Sequence, residues 1–304
     1  MKLLSRREFL KKCGLITGTS FLVSQFSSVY SLFAKETQIP HIIQVTGPNP
    51  EKNIKQALAQ LGGIEQFVSR GDIVAIKPNI SWARAPEFAA NTDPQVVATV
   101  VKLCLEAGAK AVKITDNSCN DPRSCFNLSG IEKAVQLSGG KIFFTQDYMF
   151  KEMNIDGEYL KKFKVNREFI EADVLINLPV AKHHSLAQLT IGMKNWIGAL
   201  GGSRWKVHQN INQSIADLAY FFKPDLTIVD CTRILLRHGP SGGNLSDVKE
   251  TKTIIASRDP VAADSLACQL FSKVPEDIPY ISIAAKMGLG TNNLKNTSVK
   301  KVLL

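Results

Sequence analysis

Asp72-Ile73-Val74-Ala75-Ile76, then a loop opening on Lys77-Pro78-Asn79, then Thr92-Asp93-Pro94 at the head of a second apolar run: this stretch decides the fold. The first run is short and rich in β-branched residues, which predicts a strand. Pro94 suits the first turn of a helix, where its missing N–H is not needed, and Thr92 or Asp93 can cap it. Val96, Val97, Val100, Val101 and Leu105 then recur at helical spacing until Gly108. The unit reads strand, polar loop, helix.

The same alternation extends in both directions. Residues 41–45 read as a strand. Residues 51–61 carry Ile54, Ala57, Leu58 and Leu61 on one helical face, stopped by Gly62 and Gly63. Residues 111–115 and 141–145 read as strands around a short helix at 130–137. Further strands are expected at 174–177, 226–230 and 251–256. Helices are expected at 211–222, at 260–271 with Asp259 as cap, and at 278–287. Strands alternating with amphipathic helices predict an α/β fold, a largely parallel layered sheet flanked by helices. Residues 146–166 are polar and irregular and give the candidate subdomain break within the domain spanning residues 35–304.

The N-terminus carries a different signal. Arg6 and Arg7, with Phe9 and Lys11 following, precede a weakly apolar stretch at residues 14–34 rich in Ser, Thr and Gly. A basic region, an apolar region and small residues beyond it make an export signal, and the arginine pair points to the twin-arginine route. Residues 1–34 are therefore expected to engage the twin-arginine translocase. The expected location is the periplasm or the outer face of the cytoplasmic membrane. The candidate cleavage sites lack a clean Ala-x-Ala, so the segment can also remain as a membrane anchor.

Composition narrows the function. The chain has 304 residues and a net charge of +10. Five bases (Lys2, Arg6, Arg7, Lys11, Lys12) and one acid (Glu8) belong to the signal, and without them the charge is +6. No clustered basic face remains, which argues against nucleic-acid binding. Cys104, Cys119, Cys125, Cys231 and Cys268 lie beyond the signal. They form no run of the kind that holds an iron–sulfur cluster, so none is expected here. Cys119 and Cys125 flank a loop-like segment, and a local disulfide between them stays open.

Ligands of open α/β sheets bind beyond the carboxyl ends of the strands. That rule selects the loops opening at Lys77-Pro78-Asn79, Asp116-Asn117-Ser118, Asn177-Leu178-Pro179 and Asp230-Cys231-Thr232. The densest polar stretch runs through Lys182-His183-His184 to Gly192-Met193-Lys194-Asn195. Lysines beside glycine-rich backbone suit an anionic ligand. Lys77, Asn79, Lys182, Lys194 and Asn195 are the candidate ligand or cofactor contacts. His183, His184 and His208 are candidates for proton transfer, with Asp230, Asp259 or Asp264 to orient them or hold a metal. The histidine spacing matches no zinc pattern, and both the metal and the cofactor stay unknown.

These motifs occur in an order that resembles a known family. Lys77-Pro78-Asn79, Thr92-Asp93-Pro94, Gly192-Met193-Lys194-Asn195 with Gly198, Ile215-Ala216-Asp217-Leu218, residues 226–230 ending in Asp230, and Asp259-Pro260-Val261-Ala262 with Asp264 are similar to bacterial and archaeal domain-of-unknown-function family 362. The resemblance covers roughly residues 40–290. It implies the α/β fold and nominates residues without supplying a reaction. Many relatives carry a ferredoxin-like cluster module, and this chain lacks its cysteine run. More remotely, residues 178–201 resemble the N-terminal domain of lactate racemase, where a lysine holds a nickel-pincer nucleotide. That resemblance implies Lys194 as the attachment point, although the spacing and companion histidines depart from the pattern. Two functions are expected from these residues. One is an exported enzyme acting on an anionic small molecule or cofactor. The alternative is a non-catalytic ligand-binding or maturation protein serving an extracytoplasmic redox partner.

Overall fold

Ile73–Pro78 forms the expected strand, and it stands inside a ten-stranded sheet. The structure is a computed structural model that describes residues 41–304. The export signal assigned to residues 1–34 lies outside the described residues. In chain order the strands are β1 (Ile42–Thr46), β2 (Ile73–Pro78), β3 (Ala111–Ile114), β4 (Lys141–Ile142), β5 (Phe150–Asn154), β6 (Lys162–Asn166), β7 (Val174–Leu178), β8 (Val180–His184), β9 (Gln188–Thr190), β10 (Leu226–Leu235), β11 (Val248–Ser257) and β12 (Val299–Leu303).

The main sheet runs β12-β1-β11-β10-β7-β2-β3-β4, with β8 pairing to β10 and β9. Strands β10, β7, β2, β3 and β4 are mutually parallel. β11 is antiparallel to both of its neighbours, β1 and β10. The sheet is thus mixed but mostly parallel, with helices on both faces, as the α/β reading expected.

Alternation along the strands builds two cores. Val74 and Ile76 face one layer and Ala75 the other; Val174 and Ile176 oppose Leu175 in the same way. One layer is covered by the helices Pro50–Gln60 and Pro94–Glu106, the other by Ile211–Phe222, Pro260–Cys268 and Pro279–Lys286. The helix starts follow the predicted chemistry. Asp93 accepts from Gln95 N ahead of Pro94, and Asp259 accepts from Val261 N and Ala262 N ahead of Pro260.

Three segments differ from expectation. Residues 146–166 hold an antiparallel hairpin, β5–β6, rather than irregular chain. Its side chains Ile155, Leu160, Phe163 and Val165 join a sheet core, and Asp217 accepts from the backbone N–H groups of Glu158, Tyr159 and Leu160. The polar stretch at Lys182-His183-His184 is a strand, β8, paired with β9. β10 and β11 are each ten residues long, continuing past the sheet as a hairpin.

Candidate active site

The strand order reverses beside β2. The chain passes from β2 to β3 and β4 at one edge, then returns to place β7 on the other side of β2. Such a reversal opens a crevice beyond the strand ends, where ligands of open sheets bind. The register pairs Lys77 with Asn177 and Pro78 with Leu178 at that end.

Polar side chains fill the floor of this crevice. Lys77 Nζ meets Asp116 Oδ1 at 2.7 Å with neither side chain exposed. It also donates to Pro78 O and to Asn195 Oδ1. Asn195 uses every side-chain hydrogen-bonding group. Its Oδ1 accepts from Lys77 and Asn79, and its Nδ2 donates to Lys77 O and Asn177 Oδ1. Asp264, buried in the helix Pro260–Cys268, accepts from Gly192 N and Met193 N at 2.8 and 3.0 Å. Burial raises its carboxyl to about 7 against the pull of those two donors. Asp264 therefore fixes the short helix Gly192–Asn195, and Asn195 fixes it to β2 and β7. A Cβ on Gly192 would stand 2.7 Å from Asp264 Oδ1, which explains the glycine.

Above this floor is a cavity of about 320 Å³. That lies at the small end of ligand pockets. Lys182, Lys194 and Arg204 line it, and among the described residues no carboxylate does. Lys182 Nζ donates to Asn79 Oδ1 and to Ala90 O. Burial and then the nearby Lys194 charge bring its amine down to about 7. Arg204 donates to the carbonyls of Asn117 and Ser118, so its charge is held but not neutralised. Lys194 is nine-tenths buried, and among the described residues nothing accepts a hydrogen bond from its Nζ. Burial, then the Arg204 and Lys77 charges, lower it to about 8, with Cys119 opposing them.

Two imidazoles line the same space with opposite polarity. His184 Nδ1 accepts from Leu186 N and Ala187 N, so its Nε2 carries the hydrogen. Burial and the surrounding cations push its pKa down to about 2. His208 Nδ1 lies 2.9 Å from Arg204 O; a carbonyl only accepts, so Nδ1 carries the hydrogen, and in the neutral ring Nε2 is the acceptor. One ring offers a donor and the other an acceptor.

The structure thus brings together Lys77, Asn79, Lys182, His184, Lys194, Asn195 and His208. It does not bring His183, Asp230 or Asp259 to the cavity. His183 points to the other side of β8, where its Nδ1 accepts from Gly239 N. Asp230 lies under the helix Pro94–Glu106 and accepts from Asp93 N, Thr232 N and Thr232 Oγ1. Its carboxyl rises to about 6 through burial and the neighbouring Asp93 charge. Asp259 is occupied as a helix cap and by Thr291 N. Sequence reasoning missed Arg204, Thr190 and Cys119 as cavity residues. Cys119 and Cys125 are free thiols. Among the described residues no group of three or more His, Cys, Asp or Glu is placed to hold a metal ion, and no helix is long and apolar enough to cross a membrane.

A thylakoid-associated protein of Synechocystis sp. is 27% identical over 245 residues, covering 78% of this chain and 74% of its own. The lactate racemase apoprotein of Thermoanaerobacterium thermosaccharolyticum superposes with a TM-score of 0.47 at 13% identity, over 76% of this chain and 57% of that one. A crystallised protein from Thermotoga maritima gives 0.42 at 14% identity, over 74% of this chain and 59% of that one. The chain therefore spans less than two thirds of either solved structure. Residues 74–269 match the family model described as domain of unknown function DUF362, and this chain belongs to that family.

Proposed function

We propose that this protein is an enzyme that binds a small anionic molecule in the crevice beyond β2 and β7 and moves a proton on it. One observation carries the reading: Lys182, Lys194 and Arg204 line a single cavity that, among the described residues, no carboxylate lines. Buried cations without a counter-ion are expensive, and an anionic ligand relieves that cost. His208 supports proton transfer, since the Nε2 lone pair of its neutral ring can take a proton, while the His184 Nε2–H donates a hydrogen bond that orients the ligand. Lys77 and Asn195 belong to the floor and shape the site rather than facing the ligand.

The arginine pair at Arg6 and Arg7 adds the twin-arginine translocase as a partner. It also adds the periplasm, or the outer face of the cytoplasmic membrane, as the place of action. Replacing both arginines by lysine is expected to leave the protein in the cytoplasmic fraction. Equal export of that variant overturns this part of the reading.

The anion site is tested by thermal melts with inorganic phosphate, pyruvate, oxalate and neutral glycerol. The anions raise Tm with concentration because they bind only the folded state. Glycerol produces no saturable rise. The response weakens in Arg204→Gln and Lys194→Met. Equal responses to glycerol and the anions, or unchanged responses in both variants, reject the proposal.

A further inference from the structure

We infer that Lys194 is a covalent amine: the cavity takes a small anion that also carries a ketone or aldehyde carbon, and Lys194 Nζ condenses with that carbon to form an imine. The inference rests on the anion-site reading above and names its substrate class.

Three buried lysines approach this crevice, and only one has a free amine. Lys77 is committed to Asp116, Pro78 O and Asn195, and Lys182 to Asn79 and Ala90 O. Lys194 has no such commitment among the described residues. The backbone that carries it is anchored on both sides. Gly192 N and Met193 N are tied to Asp264, and Asn195 is tied through all of its side-chain groups. An anchored backbone and a buried side chain with an unclaimed amine suit a nucleophile, because less freedom remains to be lost on attack. Burial and adjacent positive charge keep part of the amine unprotonated near neutral pH, and this activates a nucleophilic lysine.

The surroundings suit an oxo acid. Arg204 and Lys182 supply charge for a carboxylate. Thr190 Oγ1 is buried in the cavity wall with no protein hydrogen-bond partner, and a polar ligand group in the cavity would satisfy it. Among the described residues no lining carboxylate is present to pair with the resulting iminium, and the ligand's own anionic group fills that role.

The step balances without oxidant or reductant. Nζ gives up a proton, and its lone pair forms the C–N bond as the carbonyl π pair moves to oxygen, which takes that proton. A second proton from nitrogen reaches the same oxygen, the C–O bond breaks, and water leaves as C=N forms. One ammonium and one carbonyl become one iminium and one water. The Nε2 lone pair of neutral His208 can take and return these protons, and the His184 Nε2–H can donate a hydrogen bond to the carbonyl oxygen as charge builds on it.

The test is reductive trapping. The purified full-length protein is incubated separately with pyruvate, glyoxylate and 2-oxoglutarate in the presence of cyanoborohydride, then digested and analysed by mass spectrometry. A stable adduct is expected on Lys194 with at least one probe, about tenfold or more above that on exposed Lys206. Oxalate, which has no electrophilic ketone, competes it away. The exposed Cys119 thiol also lines the cavity, but its carbonyl adducts are not fixed by this reagent. Labelling of surface lysines with none on Lys194, for all three probes, overturns the inference. If oxalate still raises Tm in that case, the anion site stands and only the imine falls; if it does not, both fall.

Discussion

The Lys77 ammonium and the Asp116 carboxylate meet at 2.7 Å with no solvent on either. Burying two charges is unfavourable unless each has a partner and further hydrogen bonds. Here Lys77 also donates to Pro78 O and Asn195, while Asp116 Oδ2 accepts from Ile80 N. Removing one member strands the other. Lys77→Met is expected to lower the unfolding free energy by about 3–5 kcal/mol. Replacing both, as in Lys77→Met with Asp116→Leu, recovers much of that loss. Urea denaturation of the two variants decides it: a double variant as unstable as the single one contradicts the isolated-charge argument.

Gly198 is built into the same pair. A Cβ there would stand 2.0 Å from Asp116 Oδ1 and 2.8 Å from Lys77 Nζ. Neither atom belongs to a free surface chain that can swing away. Gly198→Ala therefore forces the pair apart or displaces the backbone that receives Asn117 N. The expected loss is about 1–3 kcal/mol from overpacking, with a further loss where the pair separates. Gly202→Ala is the control for space, since a Cβ there meets nothing closer than 3.7 Å. Its own loss is confined to the strain of its positive φ of 65°. Equal melts for Gly198→Ala and wild type count against the crowding.

The layered sheet could be read from the sequence because β-branched runs and 3.6-residue periods are local signals. Asp93-Pro94 and Asp259-Pro260 marked where their helices start. The floor of the site was nominated by loops that follow strands, and Lys77, Asn79 and Asn195 converge there. β8 escaped notice because Lys182-His183-His184 looks like a solvated loop. Its burial depends on Asn79 and Ala90, about a hundred residues earlier. Once β8 is a strand, its period of two separates His183 from Lys182 and His184. Arg204 had no local mark at all, since its partners are carbonyls 86 and 87 residues away. Asp230 looked like a site residue at a strand end and instead supports the cap at Asp93.

His184 acts through two nitrogens with separable roles. Nδ1 accepts from Leu186 N and Ala187 N and so closes the β8–β9 turn. Asn at this position can place its Oδ1 near Nδ1, whereas Ala leaves both N–H groups unpaired. His184→Ala is expected to lose about 1–3 kcal/mol of stability relative to His184→Asn. Both variants lose the Nε2–H donor and bind the anion probes more weakly. Equal stability of the two variants excludes the turn-closing role; wild-type binding in His184→Asn excludes the donor role.

Binding of an anion should also draw protons into the cavity. Lys182 and Lys194 lie at about 7 and about 8, lowered first by burial. Lys194 and Lys77 then repel the Lys182 charge, and Arg204 and Lys77 repel that of Lys194. Cys119 favours both charged amines, Asp116 favours that of Lys182, and the nearby His184 stays neutral. A bound anion favours the charged amines, so their pKa values rise on binding. Between about pH 7 and 9, binding is expected to take up on the order of one proton, fading towards pH 6 where both amines are already charged. Calorimetry in buffers of different ionisation enthalpy measures this number. The same linkage fixes the sign of the stability profile. An unfolded lysine keeps its proton to about 10.4, whereas these two lose theirs earlier when folded. The unfolded state then holds more protons, and stability rises with pH from about 7 towards 10. Subtracting the profile of the Lys182→Met and Lys194→Met double variant from that of wild type isolates the contribution of the two amines. A difference that falls with pH over this window, or proton release on anion binding, rules out buried, unneutralised amines as the ligand's partners.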